Sequence, residues 1–181
     1  MIKNDNQHYS FISRSLHWLI ASAMIILIAV GWYMTGLSNE NIWYYRALDF
    51  HQVLGLCVLL LFFVKITWLF VSPNPGFIAS VAQWQRYIAR TVHTFFVIAM
   101  AVIPLTGYVF ATSVGDPIPV YNLFEIPGVL TLSKQASEWV IDIHAYSAYT
   151  CAALAVLHIL VALKHHFVDR DKTLLRMTTG Y

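Results

Sequence analysis

Two histidines in one apolar stretch are the residues best placed to do chemistry. His144 and His158 both lie within residues 137–166, SEWVIDIHAYSAYTCAALAVLHILVALKHH, a run long enough to cross a bilayer. On an α-helix, fourteen residues give about 21 Å of rise and a rotation roughly 40° short of four turns. The two imidazoles therefore share one side of the helix at two depths. An ionisable side chain inside a membrane segment costs about 2.5 kcal/mol or more when charged and marks a functional position by default. Two on one stripe form two stacked ligand positions.

The rest of the chain has the composition to surround them. Of 181 residues, 59% are hydrophobic and only 11% charged, against about 25% charged in soluble domains. Four apolar runs, at approximately 13–37, 50–71, 91–113 and 137–166, each suit one span. They predict an all-α membrane protein, a four-transmembrane-helix bundle occupying residues 1–181 as a single domain. The first run exceeds a signal-peptide core and reads as a retained helix. SPNPG at 72–76 ends the second, and the stretch from there to Arg90 is expected along the interface. Lys65 lies near enough to the end of its run to snorkel. Pro104 and Gly107 predict a kink or a close helix contact in the third. The connection 114–136, with GDPIPVYNLFEIPG, is expected to be non-helical. Cys57 and Cys151 have no CxxC or CxxCH spacing and read as packing residues.

Cations fix the orientation. Lys3, Arg14, Arg86, Arg90, Lys164, Arg170, Lys172 and Arg176 flank one face, and only Arg46 and Lys134 the other. By the positive-inside rule both termini are cytoplasmic. His17 and His158 then lie near the cytoplasmic side, His51 and His144 near the outer side. Each pair can meet across the bundle interior. Zinc wants four ligands, or three and a water, and no acidic cluster accompanies either pair. Haem iron already has four equatorial nitrogens and needs two axial ligands. Two haem b groups, one held by His17 and His158 and one by His51 and His144, fit this pattern. Two axial imidazoles leave no open position on the iron, which favours electron transfer. His8, His165 and His166 read as solvated end residues. His93 has no depth-matched partner left and is assigned a hydrogen-bonding or propionate role.

These residues resemble the prokaryotic cytochrome b561 family of the bacterial inner membrane. The matching pieces are LHW at 16–18, His51 with Gly55 a turn later, PLTG on the third run, and LHILVALKHHFVDRDKTLLRM at 157–177. The resemblance covers essentially the whole chain. It implies a four-helix di-haem b protein with His17, His51, His144 and His158 as axial ligands, exchanging electrons with membrane ubiquinone. Some family members are similar to superoxide oxidase, which takes electrons from superoxide at the outer face and passes them to quinone.

The expected function is therefore transmembrane electron transfer with ubiquinone as partner. The alternatives are a superoxide:ubiquinone oxidoreductase, a haem-bearing anchor subunit of a dehydrogenase, and a histidine-lined metal transporter. At the outer mouth, Arg46 and Lys134 face Glu40, Asp49, Asp116, Glu125, Glu138 and Asp142, a balance that does not steer an anion inward. Arg14, Ser13 and Lys164 are the polar candidates for a quinone contact.

Overall fold

Polar caps, more than the limits of the apolar runs, set where the helices begin. The computed structural model describes residues 2–121 and 123–180 and contains four long helices, α1 (Phe11–Thr35), α2 (Ile42–Val71), α3 (Gln83–Ala111) and α4 (Lys134–Phe167). Ser10, Asn41 and Ser133 cap α1, α2 and α4 by accepting the amides of Ser13, Trp43 and Ala136, donors that an uncapped first turn leaves unpaired. At α3 the Gln85 side chain accepts the Ala82 amide at 3.0 Å. Arg86 then gathers the carbonyls of Ile78, Ala79 and Val81. As a result α2 and α3 each start eight residues before their apolar runs. Residues 83–90 are the first turns of α3, not a separate interfacial segment.

All four helices are long and apolar enough to cross a membrane. Neighbours in sequence pack side by side, α1 on α2, α2 on α3 and α3 on α4, whereas α1 and α4 meet only sparsely. Both termini lie at one end, called basal here. A polar knot fastens that end: Asn4 donates to Ser72 and Pro73, its Oδ1 accepts from Ser10 and Ser13, and Ser13 accepts the Trp68 indole at 2.8 Å. A short helix α5 (Thr173–Thr178) then straps across the base. Arg14 and Trp18 of α1 donate to the carbonyls of Thr178 and Met177, and Arg176 donates to Gly76 at 2.9 Å.

At the far end, the connection between α3 and α4 contains a small antiparallel hairpin, β1 (Ile118–Val120) and β2 (Phe124–Ile126). The Tyr108 hydroxyl holds it by donating to Pro127 at 2.6 Å.

Side chains pack most closely at mid-height. Ala23, Leu27 and Val58 form one buried cluster, Ala99, Ile103 and Cys151 another, and Met24 touches both. Val58 is fully buried.

Candidate functional site

That mid-height layer organises what lies above and below it. Met24, Val58, Met100 and Cys151 supply one residue from each long helix. Seven residues away, which is within 20° of two full turns, each helix presents another side chain to the same interior. Toward the base these are His17, Lys65, His93 and His158. Toward the far end they are Gly31, His51, Gly107 and His144. The fourteen-residue interval between His144 and His158 thus recurs on all four helices.

The far-end layer is a pair of imidazoles backed by a pair of glycines. His51 and His144 lie with ring centres 6.1 Å apart. A Cβ at Gly31 would come within 3.2 Å of the His51 ring, and one at Gly107 within 2.9 Å of the His144 ring. No larger residue leaves the rings where they are. Nδ1 of His144 is 2.8 Å from the carbonyl oxygen of Ile103. A carbonyl only accepts, so Nδ1 carries the proton and Nε2 keeps its lone pair. Nδ1 of His51 is buried, and among the described residues it makes no hydrogen bond of standard geometry; the Leu27 carbonyl, one turn before Gly31, is the backbone group beside this imidazole.

The basal layer is more polar. The His158 ring is held edge-on between His93 at 5.3 Å and Phe96 at 5.7 Å, one turn apart on α3. His17 lies at the same level, seven residues before Met24 on α1. The structure therefore gives His93 the partner that depth counting denied it, because α3 starts lower than its apolar run and brings residue 93 opposite residue 158.

The comparisons decide what kind of protein carries these layers. The family model for prokaryotic cytochrome b561 matches residues 8–180.

The chain belongs to the prokaryotic cytochrome b561 family.

Cytochrome b561 homolog 2 of Escherichia coli (strain K12) is 32% identical over 174 residues, covering 96% of this chain and 93% of that protein. Cytochrome b561 homolog 1 of the same organism is 25% identical over 90% of this chain and 92% of its own length. A probable superoxide oxidase of Yersinia pestis is 22% identical over 95% and 96% respectively. Membership makes the chain a haem b-binding membrane electron-transfer protein.

The far-end layer fits such a group on its own geometry. With ring centres 6.1 Å apart, His51 and His144 would leave room between them for one metal ion bound at about 2 Å by a nitrogen of each ring. The glycine cradles and the fixed tautomer of His144 are consistent with that use.

The residues expected to meet quinone each have a partner at the basal end. Ser13 is buried in the basal knot, Arg14 holds Thr178, and Lys164 pairs with Asp169 at 2.6 Å. His165, read as a solvated end residue, is buried and bonded to Asp171 at 2.8 Å. Its cluster with Asp169 and Asp171 fastens the tail. Asp171 also accepts the Thr173 amide, and the Asp169 carboxylate is already neutralised by Lys164. His8 does lie outside the bundle, 3.0 Å from Asp5. The Gln7 amide, with the ring and amide of His8, holds the Asp5 carboxyl down at about 2.

Lys65, Gly31 and Gly107 were not singled out as site residues from sequence. Their signal was present: each lies fourteen residues from a histidine on the same helix. It becomes visible only once all four helices are aligned on their buried midpoints.

Proposed function

We propose that the chain is a di-haem b electron carrier, with His51 and His144 holding the far-end group and His17 and His158 the basal one. The observation that carries this reading is the repetition of interior positions at one fourteen-residue interval, with histidines in both layers. Each bound haem would supply a one-electron redox centre, and the protein's part is to fix and tune it. Ile103 orients His144, Gly31 and Gly107 keep the ring space open, and His93 with Phe96 sets the plane of His158. Met24, Val58, Met100 and Cys151, each seven residues from both layers, lie between the two sites.

In this reading the protein is a multi-pass component of the bacterial inner membrane with its basal end in the cytoplasm. Ubiquinone is its electron partner, and membrane lipid surrounds the apolar outer faces of the helices. Reduced-minus-oxidised spectra and haem quantification of the purified protein test the haem count. Two b-type haems per chain are expected, and one or none would sink the assignment. Oxidation of the reduced protein by a soluble ubiquinone analogue tests the partner.

Superoxide as electron donor is the second reading, favoured by the similarity to a probable superoxide oxidase over nearly the full chain. The acidic far end, with Asp49 and Asp142 each two residues outside a histidine, opposes electrostatic attraction of that anion. Superoxide-dependent reduction of ubiquinone above the uncatalysed rate is the deciding measurement.

A further inference from the structure

The basal layer contains one residue that the two-histidine account leaves without work. Lys65 lies fourteen residues after His51 on α2, as His158 lies fourteen after His144 on α4. It shares the inward face of α2 with fully buried Val58 and is itself half-buried. Helix phase thus places Lys65 on the face of α2 that carries Val58 and His51, at the level of His17, His93 and His158 on the other three helices.

Among the described residues no carboxylate pairs with it. The acidic residues of the four long helices are Asp49, Glu138 and Asp142, all toward the far end. Among the described residues Lys65 takes part in no salt bridge. A cation inside a membrane segment is costly to retain and marks a working position, and its field is strong where water is scarce. We propose that Lys65 is the counter-charge of the basal haem site, a positioning residue that stabilises the electron-loaded state there through its fixed positive charge. This rests on the di-haem reading above. Reduction adds one negative charge to the site, so a nearby cation favours the reduced form and raises its potential. His51 and His144 have no equivalent cation in their layer, where α1 and α3 contribute glycines. The effect is therefore larger at the basal centre than at the far-end one.

The test is a potentiometric titration of the purified, haem-loaded protein, with haem content measured in each sample. Wild type, Lys65→Gln and Lys65→Arg are compared, and His51→Ala identifies which midpoint belongs to the basal centre. Lys65→Gln is expected to keep two haems and to shift the basal midpoint downward, with a smaller change at the far-end centre. Lys65→Arg is expected to restore it. Unchanged midpoints, equal shifts at both centres, or an arginine variant that behaves like the glutamine variant would each overturn the proposal. If Lys65→Gln loses the basal haem, repair by Lys65→Arg supports a charge requirement, and failure of that repair reduces Lys65 to a packing element. A wild-type content below two haems would instead defeat the di-haem reading, and this proposal with it.

Discussion

The imidazoles of His51 and His144 lie 6.1 Å apart on α2 and α4, and each ring is backed by a glycine of the adjoining helix. Four helices thus combine in one layer: two supply rings and two supply space. The arrangement makes the glycines as consequential as the histidines. A Cβ on either side pushes a ring directly, whereas a change on the outer face of the same helix meets only lipid.

The two glycines differ in tolerance. At Gly107 an added Cβ meets the His144 ring at 2.9 Å and its Nδ1 at 3.1 Å, so the ring must move away from the Ile103 carbonyl. At Gly31 the closest approach to His51 is 3.2 Å, which a small tilt relieves. Overpacking of this kind costs about 1–3 kcal/mol. If His51 and His144 hold a haem as proposed, Gly107→Ala should lower far-end haem occupancy or alter its absorption more than Gly31→Ala, with the basal centre intact in both. Pyridine haemochrome content and difference spectra read this, and wild-type behaviour of Gly107→Ala would remove the cradle from the argument.

Under the proposed di-haem reading, replacing the proposed ligands should separate the two centres. His51→Ala and His158→Ala are each expected to retain about half the wild-type haem, and the double variant close to none. His93→Ala should keep both haems while changing the low-spin electron paramagnetic resonance signal of the basal centre, since His93 bounds the ring plane of His158. Full haem retention in His158→Ala would overturn the basal assignment. Loss of a haem in His93→Ala, with retention in His17→Ala, would transfer the ligand role to His93.

Depth and helical phase brought His51 next to His144 on paper because both lie in spans whose periodicity is continuous between the histidine and the bilayer centre. His93 resisted the same treatment. The segment QWQRYIAR is polar enough to look interfacial, and only the Gln85 cap and the Arg86 clamp on residues 78–81 extend α3 through it. The α5 strap was equally hidden, since Arg14, Trp18 and Arg176 bind backbone carbonyls, which any sequence offers. Gly31 and Gly107 carry no chemistry of their own. Their role exists only relative to a ring on another helix.

The basal knot should be worth measurable stability. The hydroxyl of Ser13 donates to Asn4 and accepts from the Trp68 indole and the Ser10 hydroxyl, so Ser13→Ala strips a partner from three other side chains. Leaving such groups unpaired costs about 1–3 kcal/mol. A lower midpoint of thermal unfolding in detergent is expected, with the haem spectrum unchanged below the transition. An unchanged midpoint would show that water replaces the hydroxyl without loss.

The tail strap should respond to acid in one direction. Burial raises the Asp171 carboxyl, but hydrogen bonds from Thr173 and the interaction with His165 outweigh it and hold the group below its ordinary value. A carboxyl with a depressed folded value contributes stability that is present above the unfolded value, about 3.9, and is lost as pH falls through the folded one. Attachment of α5 should therefore be constant through neutral pH as far as this group is concerned, and weaken only in strong acid. Asp171→Asn should loosen α5 already at pH 7, because the amide keeps the shape but not the charge that His165 and the Thr173 amide face. Hydrogen exchange of the α5 amides measures this directly. Equal protection in wild type and Asp171→Asn at pH 7 would mean that Arg14, Trp18 and Arg176 alone hold the strap.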